Sequence, residues 1–305
     1  MSKTALTAIT VALAALAVIS VAGAARAVPA GEGPEVVVTA IPKLEPRQVQ
    51  GQAVPTFVVT HGAVARGGQL TRWTTGVCPD TIGLPAAYDA YISNRIVAVA
   101  AKVGAPVDKA KPCAPNIEVI FTADPQRLLD SLLKKQPASL GYHTAAQAER
   151  MAKVTRPIQA WYVTAIRGDS GQEAIDGDPG AMAPSLSGAM PHGRAGSLLG
   201  SRISSRFFRV LIVADSRQTS DHAVGQIGDY ITVLALSQAA PSQTCGDLPS
   251  ILDLLVPGCR ETEKPPTLTP GDMAYLTALY ATDLEAPLNL ERDNIGQMMR
   301  DSAGH

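Results

Sequence analysis

The chain has few aromatic residues and no excess of either charge. Of its 305 residues, 4% are aromatic and 17% are charged, with 26 Lys+Arg against 27 Asp+Glu. This near-neutral balance lacks the basic patch by which proteins bind nucleic acid or anionic membranes. The hydrophobic content of 46% excludes disorder of the whole chain. We therefore expect a folded protein with a full core and no nucleic-acid partner.

Complete catalytic motifs are also missing. Ser131–Lys134 has the S-x-x-K spacing of penicillin-recognising enzymes, but the S-D-N and K-T-G motifs that complete their site are absent. Gly168–Gly171 reads Gly-Asp-Ser-Gly, like a serine-protease nucleophile, yet neither His61 nor His143 stands in that family's histidine context. A turn after a strand explains the same four residues. The sequence thus argues against an enzyme, with a hydrolase of unrecognised site left as an alternative.

Metal-binding patterns are absent as well. His222 lies seven positions before Asp229 on a predicted helix, and no H-E-x-x-H motif occurs there or elsewhere. The sequence has no C-x₂-C pair and no histidine doublet. We therefore expect neither a metal nor a cofactor. A catalytically inactive scaffold related to zinc peptidases stays open as an alternative, because folds outlast their functions.

The first 27 residues have the pattern of an export signal. Lys3 precedes an apolar run over residues 5–24, and Ala25 and Ala27 are small residues at the spacing that signal peptidase requires. We predict a signal peptide over residues 1–27, with a membrane anchor as the alternative. Cleavage after Ala27 would change the net charge from −1 to −3 and leave no stable membrane span. The expected location is therefore periplasmic or secreted.

Export bears on the four cysteines. An even number of cysteines in an exported chain is typical of a disulfide framework, and four cysteines allow three connectivities. The pairs Cys78–Cys113 and Cys245–Cys259 close the shortest loops. We predict these two local disulfides.

Composition divides the rest of the chain into a leader and one domain. Residues 28–52 are rich in Pro, Gly and Gln and are predicted to be extended. Within them, Glu35–Ala40 resembles a TonB box, although a β-branched run also suits a plain strand. Residues 53–300 are predicted to form a single α+β domain. Residues 168–205, which lack periodicity and aromatic residues, are expected to be a flexible excursion or a lid.

Hydrophobic periodicity predicts the elements of this domain. Residues 55–64 fit a strand or a helix. Helices are expected over 86–103, 125–135, about 221–238 with Ser220-Asp221 as N-cap, 269–280 and 290–300; strands are expected over 116–122, 158–166 and 207–214. The predicted fold is α+β, with a small mixed or antiparallel sheet packed by several helices.

Three residues are candidates for ligand binding. Asp215 ends the most apolar strand, where α/β-type sheets commonly hold ligands, and Asp221 and Asp229 follow it. His143 is the third candidate. Each also has a structural explanation, because an aspartate can close a turn after a strand and a histidine can lie partly buried in one. If the protein is a hydrolase, we expect a pocket that gathers Asp215, Asp221 or His143.

Several short segments together resemble a family of exported alphaproteobacterial proteins of unknown function. They are residues 69–73, 77–79, 82–85, 115–122, 156–162, 210–215, 229–231, 234–236, 248–252, 268–269 and 274–276. The resemblance covers about residues 53–300 and implies export, but it carries no activity and no catalytic residue. The predicted function is therefore that of a non-catalytic envelope or binding protein for an envelope partner or a small ligand.

Overall fold

A five-stranded mixed sheet lies at the centre of the computed structural model, which describes residues 53–141, 144–168, 173–176, 203–240 and 244–303. The predicted signal peptide, the 28–52 leader with Glu35–Ala40, and His143 lie outside the described residues. The strands are β1 (Pro79–Ile82), β2 (Ile117–Thr122), β3 (Ile158–Arg167), β4 (Glu173–Ile175) and β5 (Ser204–Asp215), in the order β1-β2-β5-β3-β4. β1, β2 and β5 run parallel, whereas β3 is antiparallel to both β5 and β4. The α+β prediction is confirmed.

Helices pack on both faces of this sheet. They are α1 (Ala53–His61), α2 (Ala86–Val103), α3 (Pro125–Lys135), α4 (Ala145–Met151), α5 (Val224–Leu236), α6 (Pro270–Ala281) and α7 (Leu288–Ala303). Short 3₁₀ helices cover Pro137–Leu140, Ile251–Leu255 and Glu261–Glu263. Residues 55–64, which suited strand or helix, belong mainly to α1. Pro55 fits there because the first turn of a helix needs no N–H from it.

The central strand β5 is buried on both faces. Val210 and Ile212 pack into the main core with α2, α5 and α6, while Leu211 and Val213 pack on the opposite face with Leu129 of α3. Neighbouring residues of a strand point to opposite faces, so burial of both faces requires a continuous apolar run. The central position predicted for this strand is confirmed.

Two predicted features differ from the structure. α5 begins at Val224 rather than after Ser220-Asp221, and the backbone N–H of Ala223 donates to the side chain of Gln226. Residues 215–219 instead form a turn closed on Asp215. The 168–205 excursion is also interrupted, because it contains β4 and the first residues of β5; its remainder lies largely outside the described residues.

Both predicted disulfides are present. Cys78 pairs with Cys113, and Cys245 pairs with Cys259. Structural disulfides are typical of proteins in oxidising compartments outside the cytoplasm. In the part of the chain that the structure describes, no helix is both long and apolar enough to cross a membrane.

A buried ion pair joins the segment before β1 to the two C-terminal helices. The Arg72 guanidinium donates to the Glu291 carboxylate on α7 and to the carbonyls of Leu279 and Thr282 at the end of α6. Glu291 also accepts the backbone N–H of Leu70 at 2.9 Å. Burial raises the pKa of Glu291, while the Leu70 N–H and Arg72 oppose that rise.

Replacing Glu291 with Leu should destabilise the protein strongly. The substitution leaves Arg72 buried without its counter-charge, which costs about 3–5 kcal/mol in the free energy of unfolding. Urea denaturation measures this change. The matched control is Glu263→Gln, which breaks the exposed pair with Arg260 and should leave the midpoint unchanged. Equal effects of the two substitutions would contradict this account of the buried pair.

Candidate functional site

A cavity of about 340 Å³ lies between α1 and residues 244–253. Its size is at the lower end of the range for small-molecule sites. The polar side chains in its lining are Thr56, Thr60, His61, Thr244, Asp247, Ser250 and Asp253. The larger apolar side chains are Phe57, Leu248 and Leu252.

One wall of the cavity is a face of α1. Phe57 and His61 are four residues apart, so their side chains lie on the same side of the helix. The two rings stack with centroids 3.6 Å apart and an interplanar angle of 8°. Tyr275 of α6 contacts the His61 ring edge-on, with centroids 5.6 Å apart. Packing on two sides therefore fixes the His61 ring at the wall.

The opposite wall is the loop between Cys245 and Cys259. The Ser250 hydroxyl accepts the backbone N–H of Leu252 at 3.1 Å, which starts the 3₁₀ helix Ile251–Leu255. The Asp253 carboxylate in turn accepts the backbone N–H of Ser250 at 3.0 Å. This reciprocal capping and the disulfide hold the loop in one shape.

A buried histidine and serine in the cavity wall meet an aspartate that lies outside the lining. His61 Nε2 lies 2.8 Å from Ser250 Oγ, and Ser250 Oγ lies 2.6 Å from Asp272 Oδ1. His61 is 6% exposed, Ser250 2% and Asp272 0%. The other ring nitrogen, Nδ1, lies 3.0 Å from the Phe57 carbonyl oxygen and 3.2 Å from Thr60 Oγ1.

The positions of the protons follow from donor counting. The Ser250 hydroxyl has one proton, and it donates that proton in a hydrogen bond to the Asp272 carboxylate, which can only accept. His61 Nε2 must then donate to Ser250 Oγ, whose other lone pair accepts the Leu252 N–H. At Nδ1, the Phe57 carbonyl can only accept, whereas the Thr60 hydroxyl at 3.2 Å can also donate.

This network differs from the arrangement of a serine nucleophile. In a catalytic triad the histidine accepts the serine proton and the aspartate orients the histidine. Here Asp272 contacts the serine, and a carbonyl contacts the far side of His61. Ser250 Oγ makes one donated and two accepted hydrogen bonds, so it has no free lone pair to attack a substrate. The geometry favours a structural role for Ser250.

Asp253 is the buried acid of the cavity wall. It is 5% exposed, and its second oxygen meets only the Gly246 N–H at 3.4 Å among the hydrogen bonds of the described residues. Burial raises the pKa of Asp253; the Ser250 and Gly246 N–H groups oppose this, and nearby Asp272 adds to it.

Asp215 and Asp221, two of the residues predicted from sequence, do not line this cavity. Asp215 accepts the backbone N–H of Arg217 at 2.9 Å and the Gln218 amide at 2.8 Å, so it closes the turn after β5. Asp221 is exposed, with a 3.5 Å contact to Ser220. His143 lies outside the described residues. The structure thus supports the turn explanation for Asp215.

Asp229 also has a structural role. It pairs with Arg95 of α2 at 2.5 Å and accepts the backbone N–H of Leu268 at 2.9 Å. Its carboxylate therefore ties α5 to α2 and to the segment before α6. Within the described residues, no group of three or more His, Cys, Asp or Glu side chains could hold a metal ion.

Sequence reasoning missed the cavity because its walls are far apart in the chain. His61 and Ser250 are separated by 189 positions, and nothing in either local sequence indicates that they meet. A partial signal was present. Ser250–Asp253 and Thr269–Asp272 both have the S/T-x-x-D spacing of a capping box, which predicts two helix starts but not their contact.

Asp215 should contribute stability that disappears in acid. Burial favours a higher pKa, but the bonds from Gln218 and Arg217 outweigh it and lower the pKa of Asp215 below its usual value. Its contribution is therefore present above about pH 4, the pKa in the unfolded chain, and is lost as the pH falls through the folded-state value. As the pH falls from 7 to 3, the free energy of unfolding measured by urea denaturation should decrease less for Asp215→Asn than for the wild type.

The control for that experiment is Asp221→Asn. Asp221 is exposed, so its replacement should leave the midpoint at pH 7 unchanged, whereas Asp215→Asn lowers it. If Asp215→Asn has the same midpoint as the wild type at pH 7, the turn does not depend on this carboxylate.

Comparisons with known proteins give no relative for this chain. No family model, curated protein or solved structure matches it. The resemblance to an exported alphaproteobacterial family therefore stays a prediction, and functional inference depends on the geometry of the cavity.

Proposed function

We propose that the protein is an exported, non-catalytic binding protein that holds a small molecule in the cavity between α1 and residues 244–253. The observation that carries the proposal is a cavity that combines apolar side chains with polar groups in similar measure. The hydroxyl of Ser250 in its wall has every hydrogen-bonding position occupied. Cavities with this mixture of surfaces commonly bind small ligands.

Export is the second part of the proposal. The predicted signal peptide over residues 1–27 supports a periplasmic or secreted location, and the two disulfides agree with an oxidising compartment. The Cys245–Cys259 disulfide bounds the loop that forms one cavity wall, so oxidation and the shape of the binding site are connected.

Filling the cavity should abolish binding. Thr56 is an exposed residue of the lining, and an indole at this position would occupy the cavity. We expect Thr56→Trp to lose the thermal shifts that metabolites and envelope components give with the wild type. Val59→Trp is the matched control, because Val59 is 52% exposed on the same helix and does not line the cavity. Shifts that survive in Thr56→Trp would place binding elsewhere.

A serine hydrolase is the second candidate, favoured by the 2.8 Å contact between His61 Nε2 and Ser250 Oγ. The two functions differ in the reactivity of Ser250. Because its hydroxyl is bonded to Asp272 and is 2% exposed, we expect a fluorophosphonate probe to leave Ser250 unlabelled, as read by mass spectrometry of the intact protein and its peptides. Labelling that disappears in Ser250→Ala would establish the hydrolase and overturn the non-catalytic proposal.

A further inference from the structure

We propose that the ligand of the cavity is a small organic amine whose ammonium group pairs with the Asp253 carboxylate. This inference rests on the proposed binding function and adds the chemical class of the ligand.

The charges of the lining favour a cation. Asp247 and Asp253 are its two acids, and the described lining contains no lysine or arginine. The one basic side chain of the described lining is His61. Its Nε2 contacts Ser250, and its Nδ1 contacts Thr60 and the Phe57 carbonyl. A carboxylate ligand would meet two like charges without a free donor from His61, and like charges in a partly buried site repel.

Asp253 has acceptor capacity to spare. Two carboxylate oxygens offer about four lone-pair sites. The Ser250 N–H occupies one of these sites in a hydrogen bond of 3.0 Å. The Gly246 N–H occupies a second in a longer, weaker hydrogen bond of 3.4 Å. Asp253 is only 5% exposed, so bulk water does little to stabilise the charge of its carboxylate. An ammonium group would supply both the missing donors and the counter-charge.

The rest of the lining limits the body of the amine. Phe57, Leu248 and Leu252 present apolar surface to the cavity. Ala53, Ala240 and Gly246 also line it, and their small size leaves room for a ligand. A volume of about 340 Å³ suits a single ring or a short chain. The ligand class is therefore a small amine with an apolar body.

A charge series of one carbon skeleton tests this inference. Benzylamine, benzyl alcohol and benzoate are titrated calorimetrically into the full mature protein at pH 7. We expect benzylamine to bind at least about tenfold more tightly than benzyl alcohol, since hydrogen bonds to charged groups are the stronger ones. Benzoate should bind most weakly. This series needs no variant, so it remains decisive even if a substitution of Asp253 prevents folding.

Variants then locate the charge. Asp253→Asn should weaken benzylamine binding about ten- to a hundredfold and leave benzyl alcohol nearly unchanged. Asp247→Asn, in the exposed part of the lining, should have a smaller effect. Asp221→Asn removes an exposed carboxylate outside the lining and should have none. Equal effects of Asp253→Asn and Asp221→Asn would overturn the assignment of Asp253.

The pH dependence provides an independent check. Burial raises the pKa of Asp253, and the groups that face it are Asp272, which raises the pKa further, and His61, which lowers it. Benzylamine affinity should therefore fall as the pH is lowered from 7 towards 4, because the carboxylate gains a proton. Affinity that is constant over this range would contradict pairing with Asp253.

The outcomes separate this inference from the proposed function. If benzyl alcohol or benzoate binds as tightly as benzylamine and Thr56→Trp abolishes that binding, the cavity binds ligands but the amine class is wrong. If none of the three compounds binds and a metabolite screen gives no shift that depends on Thr56, the proposed binding function fails as well.

Discussion

The carboxylate of Asp272 connects the three segments on which the cavity depends. It is fully buried and accepts bonds from the Thr269 backbone and hydroxyl, from the Ile251 N–H and from the Ser250 hydroxyl. The first two bonds start α6, the third holds the 3₁₀ helix of the loop, and the fourth reaches His61 of α1 through Ser250. A buried carboxylate is stable only when its oxygens are paired in this way, so the three segments are fixed together.

This arrangement explains why a histidine, a serine and an aspartate that meet in space suggest binding rather than hydrolysis. Catalysis would need a serine proton directed to the histidine and a hydroxyl that is free to attack. In this protein the serine proton points to Asp272, and the lone pairs of the oxygen accept Leu252 and His61. The chemical groups of a triad are present, but their hydrogen bonds serve to hold two cavity walls at a fixed separation.

Local sequence signals predicted individual elements where the physical cause was also local. α3 has the predicted bounds because Asp124 accepts the Arg127 N–H and Pro125 occupies the first turn. α6 begins at Pro270 because Thr269 and Asp272 form a capping box. The prediction for α5 was wrong at its start, since Asp215 gathers the N–H of Arg217 and the Gln218 amide into a turn that delays the helix to Val224. Hydrogen bonds between a turn and the last residue of the preceding strand leave no periodic pattern in the sequence.

The sequence by itself determined the α+β class, the central buried strand and the two local disulfides, because apolar periodicity, capping residues and loop length act over short distances along the chain. The tertiary structure decided the candidate site. Asp215 was favoured as a ligand residue by its place at a strand end, but its carboxylate accepts hydrogen bonds from Arg217 and Gln218 in the adjoining turn. His61, Ser250, Asp253 and Asp272 come together only when α1 packs against a loop almost two hundred positions away. Such contacts depend on how whole helices pack, and no short stretch of sequence encodes them.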